Sequence, residues 1–525
     1  MAGRPLYARL RVRGWLLLES PLHVGGAGGD RSVDLPLARD GGGDHYVPGT
    51  SLAGCLRACA EGVGERSSST RWGYIVERTE QGAVSRVVVG DARVLAADGA
   101  SSAIVEEIRD GVGIDRVLGA SAPGILYSRA VLPRGSRLEL AVDIESRTSD
   151  ELEDDYQFLV ALLAALGRGD APLGAGKTRG LGALTLLTGP GDLAVTEERF
   201  DCRASVIAAL RSPRDVTADV MSLVGRAEPS WPRRVVRVTM PWVAAGPVMV
   251  RASVEGLRVD GLPLVGRRDG NRLVPVIPGA SIKGALRARA EWILRSLAGV
   301  DADRAGRAEE FADQSEGGAL ALVRALFGAP PVGKQAKDAP PDTRGIGALA
   351  VNDCYARTAD LSNELWIEAL SPEEATRTEG EQQRRRAAWS RRMVEAGYHP
   401  THHVAIDRWT GGAAAGLLYS VLEPEGVSWD PISIGISCDR LDRVGAGLVE
   451  PALALVWLLV RDLGEGLVPL GYAVNRGMGD VKVDPRTVTW SGLPGHDNGR
   501  TVSHDQLDVS AWAGAWESYI AEAGG

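Results

Sequence analysis

From Leu10 to Leu18 apolar residues are interleaved with arginines, the pattern of a half-buried strand, and the strand-like character runs on to Ser20. A glycine-rich stretch, Gly25 to Gly43, follows. Thr50-Ser51 then stands where an N-cap belongs, ahead of apolar and small residues that return at helical spacing to about Glu61. A second helix is predicted over Tyr156–Leu166, then a loop at Arg179-Gly180 and a strand over Ala183–Leu187. Strand, helix, strands, helix, loop and strand is the order of a ferredoxin-like α+β unit. Strand-like Arg234–Val243 restarts the pattern, which closes near Val483.

The restart is a repeat. Val47-Pro48-Gly49-Thr50-Ser51-Leu52-Ala53-Gly54-Cys55-Leu56-Arg57 returns as Ile277-Pro278-Gly279-Ala280-Ser281-Ile282-Lys283-Gly284-Ala285-Leu286-Arg287, at an offset of 230. Ile114-Asp115-Arg116 with Leu126-Tyr127-Ser128 returns as Ile406-Asp407-Arg408 with Leu418-Tyr419-Ser420, at 292. Thr178-Arg179-Gly180-Leu181-Gly182 returns as Asn475-Arg476-Gly477-Met478-Gly479, at 297, and a weaker pair, Asp91 and Asp353, gives 262. Landmarks in fixed order with growing offsets imply two copies of one fold, the second carrying insertions of 32, 30 and 5 residues. The expected boundaries are a first domain at 1–190, a linker at 191–232, a second domain at 233–485 and a tail at 486–525.

Composition agrees with two ordinary globular cores: 525 residues, 44% of them hydrophobic. The longest apolar runs, Leu159–Leu166 and Leu453–Val460, are too short to span a bilayer, and the opening residues lack the apolar core and cleavage site of a secretory signal. Five cysteines without close CxxC spacing suit a reducing compartment, so a cytoplasmic protein without membrane contact is expected. The net charge of −9 argues against nucleic acid as a partner, but the distribution changes that picture. Of only five lysines, Lys177 and Lys283 lie in or beside the repeated motifs, and the remaining basic residues are arginines, suited to bidentate phosphate contact and stacking. Two insertions have character of their own. Ala329–Ile346 reads as a mobile loop, and Glu373–Arg392 carries Arg384, Arg385, Arg386, Arg391 and Arg392 on a helix, either a solvated face or a contact for RNA or another subunit.

The repeated motifs have a common chemistry. Gly49-Thr50-Ser51 and Gly279-Ala280-Ser281 bring a hydroxyl and backbone N–H groups to a helix start, an anion site or simply a cap, with Arg57 in one copy and Lys283 and Arg287 in the other on the forward face. Arg179-Gly180 and Arg476-Gly477 put small residues and a guanidinium in a loop that a ligand backbone can approach. Gly174-Ala175-Gly176-Lys177-Thr178 hints at a P-loop, but Ala171 stands where that pattern needs glycine, and a helix precedes it where a strand should, so no nucleotide cofactor is expected. His399-Pro400-Thr401-His402-His403 lacks a completing ligand for zinc, and Cys55 and Cys59 are read as buried small residues. Asp115 and Asp407 are read as structural partners of the neighbouring arginines.

In their order, Gly25-Gly26, Val33-Asp34-Leu35-Pro36-Leu37, the Pro-Gly-x-Ser helix start, the Ile-Asp-Arg segment and the terminal Arg-Gly-x-Gly loop resemble the RAMP superfamily, and within it the backbone subunit of type III CRISPR effector complexes. The resemblance covers both halves and implies two tandem modified ferredoxin-like (RRM-like) domains, as a fusion that suits the type III-D variants best. Each would bind the guide RNA along its backbone, through Gly49, Thr50, Ser51, Arg57, Lys177, Arg179 and Gly180 in one copy and Gly279, Ser281, Lys283, Arg287, Arg476 and Gly477 in the other. Contact without base reading suits a protein that must accept any guide. Thumb-like excursions carrying Ile114 and Arg116, and Ile406 and Arg408, would wedge into the guide–target duplex. An aspartate in the loop after the first strand would cut target RNA with Mg²⁺ or another divalent cation. Asp34 takes that place, and Asp260 takes it in Val259-Asp260-Gly261-Leu262-Pro263, one residue longer before the proline. Guide RNA, target RNA and other subunits of the complex are the implied partners. The rival readings are a catalytically inert scaffold, a metal-independent guide-processing ribonuclease, for which His23 would be the candidate, and a repeat protein unrelated to RNA.

Overall fold

The computed structural model describes residues 5–26, 33–62, 71–75, 82–97, 104–227, 234–254, 256–268, 272–330, 345–371, 378–495 and 500–523. The chain divides into two compact units: unit 1 comprises Met1–Glu107, Ala130–Lys177 and Leu181–Arg233, and unit 2 comprises Ile108–Arg129, Thr178–Gly180 and Arg234–Gly525. Two short segments of the first sequence copy thus group with the second.

The first sequence copy runs through β1 (Ala8–Leu18), α1 (Gly49–Gly62), a hairpin of β2 (Glu107–Ile114) and β3 (Ser121–Val131), β4 (Arg137–Ser146) and α2 (Ser149–Gly167); its hairpin groups largely with unit 2 and the rest forms unit 1. Strand β1 alternates as its sequence predicts, with Ala8, Leu10, Val12, Leu16 and Leu18 buried. It pairs antiparallel with β4 from Ala8↔Ser146 to Leu17↔Arg137, and on its other edge with Leu184–Leu186 and Leu193–Arg199. The interleaved arginines meet carboxylates on those neighbours: Arg9 meets Glu145 at 3.1 Å, Arg11 meets Glu198 at 3.0 Å and Arg13 meets Asp143 at 2.7 Å.

Helix α2 begins seven residues before its apolar period does. The Thr148 side chain accepts from the Glu151 N–H, and Asp150 and Glu151 complement the dipole, so capping starts a helix that hydrophobic spacing alone places at Tyr156. Its Leu152, Phe158, Leu159, Leu162, Leu163 and Leu166 are buried. So is Asp155, which accepts from Arg71 at 2.8 Å, from Arg86 at 2.7 Å and from the Ser146 hydroxyl at 2.8 Å. The stretch read as a linker, 191–232, is not one. Leu193–Arg199 joins the sheet, helices Arg203–Arg211 and Thr217–Val224 follow, and Val216 and Val220 are buried. A short strand next to the sheet edge and half-exposed helices have the mixed polarity of a linker, which is why the pattern misleads. The Pro229–Pro232 end of that stretch lies outside the described residues.

Unit 2 repeats the plan with β5 (Val235–Met240), α3 (Gly279–Ala298), a hairpin of β6 (Tyr398–Ile406) and β7 (Ala413–Pro424), β8 (Ile432–Ser437) and α4 (Val449–Gly464). Strands β5 and β8 pair antiparallel from Val235↔Ser437 to Met240↔Ile432, as β1 and β4 do. The sheet runs Leu349–Val351, β8, β5, Thr489–Ser491, Thr501–Ser503. Residues 486–525, read as a tail, therefore complete this domain: Trp490 is fully buried and donates to His504 Nδ1 at 3.2 Å, and Trp512 joins the same core. Of the Ala329–Ile346 loop, Gly328–Ala329 pairs with Gly345–Ile346, and 331–344 lie outside the described residues. The arginine-rich helix spans Glu379–Glu395, buries Trp389 and Met393 against Leu365, Tyr398 and Leu422, and exposes Arg384, Arg385, Arg386, Arg391 and Arg392; residues 372–377 lie outside the described residues.

Removing Asp155 leaves two buried guanidinium groups without their shared carboxylate, so Asp155→Ala lowers the stability of unit 1 by about 3–5 kcal/mol. Arg9→Ala, at a partly exposed pair, changes it by less than about 1 kcal/mol. Urea unfolding of the full chain, followed at the unit 1 transition, checks both values.

Candidate functional site

The two aspartate loops share one backbone ladder. Gly26 N–H donates to Pro36 O at 3.4 Å and Ala38 N–H to Val24 O at 3.0 Å; Ala252 N–H donates to Leu262 O at 2.9 Å and Leu264 N–H to Val250 O at 2.6 Å. The next strand closes each loop alike, Ala130 N–H on Leu35 O at 3.1 Å and Leu422 N–H on Gly261 O at 2.9 Å. In this register Pro36 corresponds to Leu262 and Asp34 to Asp260, so the extra residue before Pro263 does not displace the aspartate. Both aspartates are exposed. Asp260 Oδ2 accepts from the Ser420 N–H at 2.7 Å and the Ser420 hydroxyl at 3.0 Å, and the N–H bond, ahead of the hydroxyl, holds its carboxyl below the usual range. Met249 stands where the first copy has His23. The His23 ring is buried, with Nδ1 2.8 Å from Ala130 O, so it packs the loop rather than facing a substrate.

Each Pro-Gly helix start is anchored by the weakest pair of the repeat. Gly49 N–H donates to Asp91 Oδ1 at 2.6 Å and Gly279 N–H to Asp353 Oδ1 at 2.8 Å. A side chain does not fit here: a Cβ on Gly49 would lie 2.5 Å from Val89 O, and one on Gly279 2.2 Å from Val351 O. The Ser51 and Ser281 N–H groups turn back to Pro48 O and Pro278 O, both at 2.9 Å. These backbone donors thus serve the cap itself, and what each start presents outward is its side chains. Thr50 and Arg57 are exposed and Ser51 and Ser281 half-buried. Lys283 is buried, donating to Leu349 O at 2.6 Å and the Thr178 hydroxyl at 3.1 Å, and Arg287 reaches Glu291 at 2.7 Å.

The Arg-Gly loops and the hairpins are also alike in detail. Arg179 donates to the Tyr127 hydroxyl at 3.3 Å, and Arg476 donates to the Tyr419 hydroxyl and lies over the Tyr472 ring at 5.2 Å. Lys177 is exposed. Gly180 and Gly477 both take positive φ, 86° and 85°, but a Cβ on Gly180 would sit 2.0 Å from Asp353 Oδ1, whereas nothing lies within 4 Å of one on Gly477. At the hairpin tips Asp115 accepts from the N–H groups of Val117 and Leu118, and Asp407 from those of Trp409 and Thr410. These aspartates cap turns, where their sequence context suggests pairing with the adjacent arginines. The Leu118 N–H first, with those of Ala305 and Val117, holds Asp115 down at about 2. Arg116 instead joins buried Glu291 at 2.5 Å. Ile114, Ile406 and Arg408 are exposed, and Trp409 is 95% exposed.

Unit 2 therefore gathers Arg129, Arg179, Lys283 and Arg287, whose charges act on one another. Asp353, Glu291, Tyr127, Tyr419 and Ser420 also belong to the site. The last three stand inside the repeated segments, and their recurrence was the signal available; Glu291 carries no such mark. Cys55 and Cys59 are buried, and Cys55 Sγ donates to Ala171 O at 3.3 Å. The histidine run lies on β6, where His403 meets Glu423 at 2.9 Å. Among the described residues no three His, Cys, Asp or Glu side chains come together to hold a metal ion, and no helix is long and apolar enough to cross a membrane.

Burial, with the guanidinium groups of Arg179 and Arg287, pushes the Lys283 ammonium down to about 7. The folded state then holds fewer protons than the unfolded chain between roughly pH 7 and pH 10, so this group makes stability rise with pH across that window. Thermal unfolding at about pH 6.5 and about pH 9 should show a smaller difference for Lys283→Met than for the unaltered chain.

The model of the RAMP superfamily matches residues 15–185 and again 238–482. A search of curated proteins finds no match. The two matched regions coincide with the two sets of landmarks, and they cover most of the chain. Its α+β domains, each with a capped glycine helix start, a loop aspartate and an Arg-Gly turn, are two tandem modules of one kind, and the chain belongs to the RAMP superfamily.

Proposed function

We propose that this protein is a guide-RNA-binding backbone subunit of a type III CRISPR ribonucleoprotein, and that it cleaves complementary target RNA at two regularly spaced sites. Membership of the RAMP superfamily points to a CRISPR-associated RNA-binding subunit. The observation that carries the finer reading is the shared ladder that sets Asp34 and Asp260 at one position in two modules. A lone loop aspartate is ordinarily a turn residue. Two at equivalent exposed positions, set there by the same main-chain bonds, are better explained by a common task.

A hard divalent cation such as Mg²⁺ takes one or two carboxylates and completes its shell with phosphate and water, so a single exposed carboxylate fits it at either loop. Bound there, the ion would polarise the scissile phosphate for attack by the neighbouring 2′-OH. The chain's own groups do the rest. Arg57, Lys177, Arg179 and Arg476 offer charge to the sugar-phosphate backbone, and the open Gly477 beside Arg476 lets it approach. Lys283, donating to Leu349 O, and Arg287, paired with Glu291, lie on the helix of the second module. The second hairpin, with exposed Ile406, Arg408 and Trp409, and the open Arg476-Gly477 loop are the surfaces for a neighbouring subunit or the duplex. The scaffold reading is favoured by one observation, that neither aspartate belongs to a ligand cluster among the described residues.

In the assembled complex with Mg²⁺, Asp34→Ala should remove one product from a labelled complementary RNA and Asp260→Ala the other, with guide binding retained and EDTA removing both. An intact target in every lane would leave the scaffold reading, and two cuts in both variants would refute the assignment of the aspartates.

A further inference from the structure

The second aspartate is held by a single neighbour on another element. Ser420 of β7 gives both its N–H and its hydroxyl to Asp260 Oδ2, at 2.7 and 3.0 Å, and its Oγ accepts from the Asp260 N–H at 3.2 Å. Main-chain bonds lock the two segments on either side: Gly261 N–H reaches Ser420 O at 2.9 Å, and Leu422 N–H reaches Gly261 O at 2.9 Å. The Asp260 loop is thereby clamped along the base of the second hairpin. Of the other charged or titratable groups, Arg251 donates to Asp260 O at 3.4 Å, and His402 is the cross-strand partner of Ser420 on β6.

We infer that Ser420 is a positioning residue of the second site: by engaging Oδ2 it fixes the Asp260 carboxylate and reserves Oδ1 for the cation or the target phosphate. This inference rests on the nuclease reading of Asp260. An exposed aspartate on a loop samples several rotamers, and each bond to Oδ2 removes some of them. Two donors from one residue, one main-chain and one side-chain, hold the carboxylate plane as well as its position. Partners of this kind orient metal-binding carboxylates, and their loss costs about 10–100-fold in metal affinity. Ser128 occupies the corresponding position of the first copy by sequence.

The test uses the assembled complex. Mg²⁺ is titrated against each of the two cuts for the unaltered protein and for Asp260→Ala, Ser420→Ala and Ser420→Thr. Beside it, Fe²⁺-directed hydroxyl-radical scission is mapped on a non-cleavable 2′-deoxy target, which reports where the ion sits without turnover. Ser420→Ala should raise the Mg²⁺ needed for the second cut by roughly 10–100-fold and weaken radical scission at that site, while the first cut, target binding and the first scission site stay as they were. Ser420→Thr, which restores the hydroxyl, should recover both readouts. If Asp260→Ala abolishes the second cut but Ser420→Ala matches the unaltered protein in both readouts, the positioning role is overturned and the nuclease reading stands. If Asp260→Ala leaves the second cut in place, both fall. Should Ser420→Ala lose both cuts through failure of the hairpin, Ser420→Cys, which keeps the size and the main-chain donor but only a weak side-chain one, decides on the same criteria.

Discussion

One hydrogen bond orders each copy of this fold, from the amide of the glycine that opens a helix to a carboxylate 42 residues later in the first copy and 74 later in the second. The amide is one of the donors that a helix start leaves without an internal partner, and the aspartate supplies one from across the domain. Glycine is obligatory because the following strand's carbonyl passes where a Cβ would be. Helix start and strand are thus pinned together, and an insertion of 32 residues between the partners leaves the contact unchanged. Everything one or two turns further along the helix, Arg57 in one copy and Lys283 and Arg287 in the other, takes its position from that bond. In unit 2 the same carboxylate is 3.4 Å from Arg109 and abuts Gly180, so one side chain sets the helix, the hairpin base and the Arg-Gly loop together.

The repeated landmarks made the duplication, the helix starts and the α+β class legible in the sequence, because glycines and prolines with fixed backbone tasks survive as recognisable letters. The equivalence of Asp34 and Asp260 was obscured by the same reliance on letters. Aligned on proline, Asp260 is a residue out of step; aligned on main-chain bonds, Leu262 fills the place of Pro36, since a carbonyl accepts a hydrogen bond whatever its side chain. The segments misread as linker and tail failed for another reason. Leu193–Arg199 and Thr489–Ser491 are short strands, and each joins its sheet through a partner distant in sequence, β1 or β5. The partners of Asp115 and Arg116 were equally hidden, because Ala305 and Glu291 lie well beyond any local window.

Net charge is a poor guide to what this chain binds. Much of its acidity is used internally: the arginines of β1 meet Glu145, Asp143 and Glu198, Asp155 holds Arg71 and Arg86, and Glu291 holds Arg116 and Arg287. Arg57, Lys177 and Arg476 remain exposed at the repeated motifs, beside the two loop aspartates. An acidic protein can therefore present exposed basic groups, while burial, ahead of the neighbouring Arg179 and Arg287, lowers Lys283.

The equivalence of the two aspartates as target-facing groups is tested most directly by an electron cryo-microscopy structure of the assembled complex with guide and a non-cleavable 2′-deoxy target. The predicted result is a target strand whose phosphates face Asp34 and Asp260 at matching steps of the two modules. A strand that reaches neither carboxylate, or that passes them on opposite faces of the modules, would contradict it.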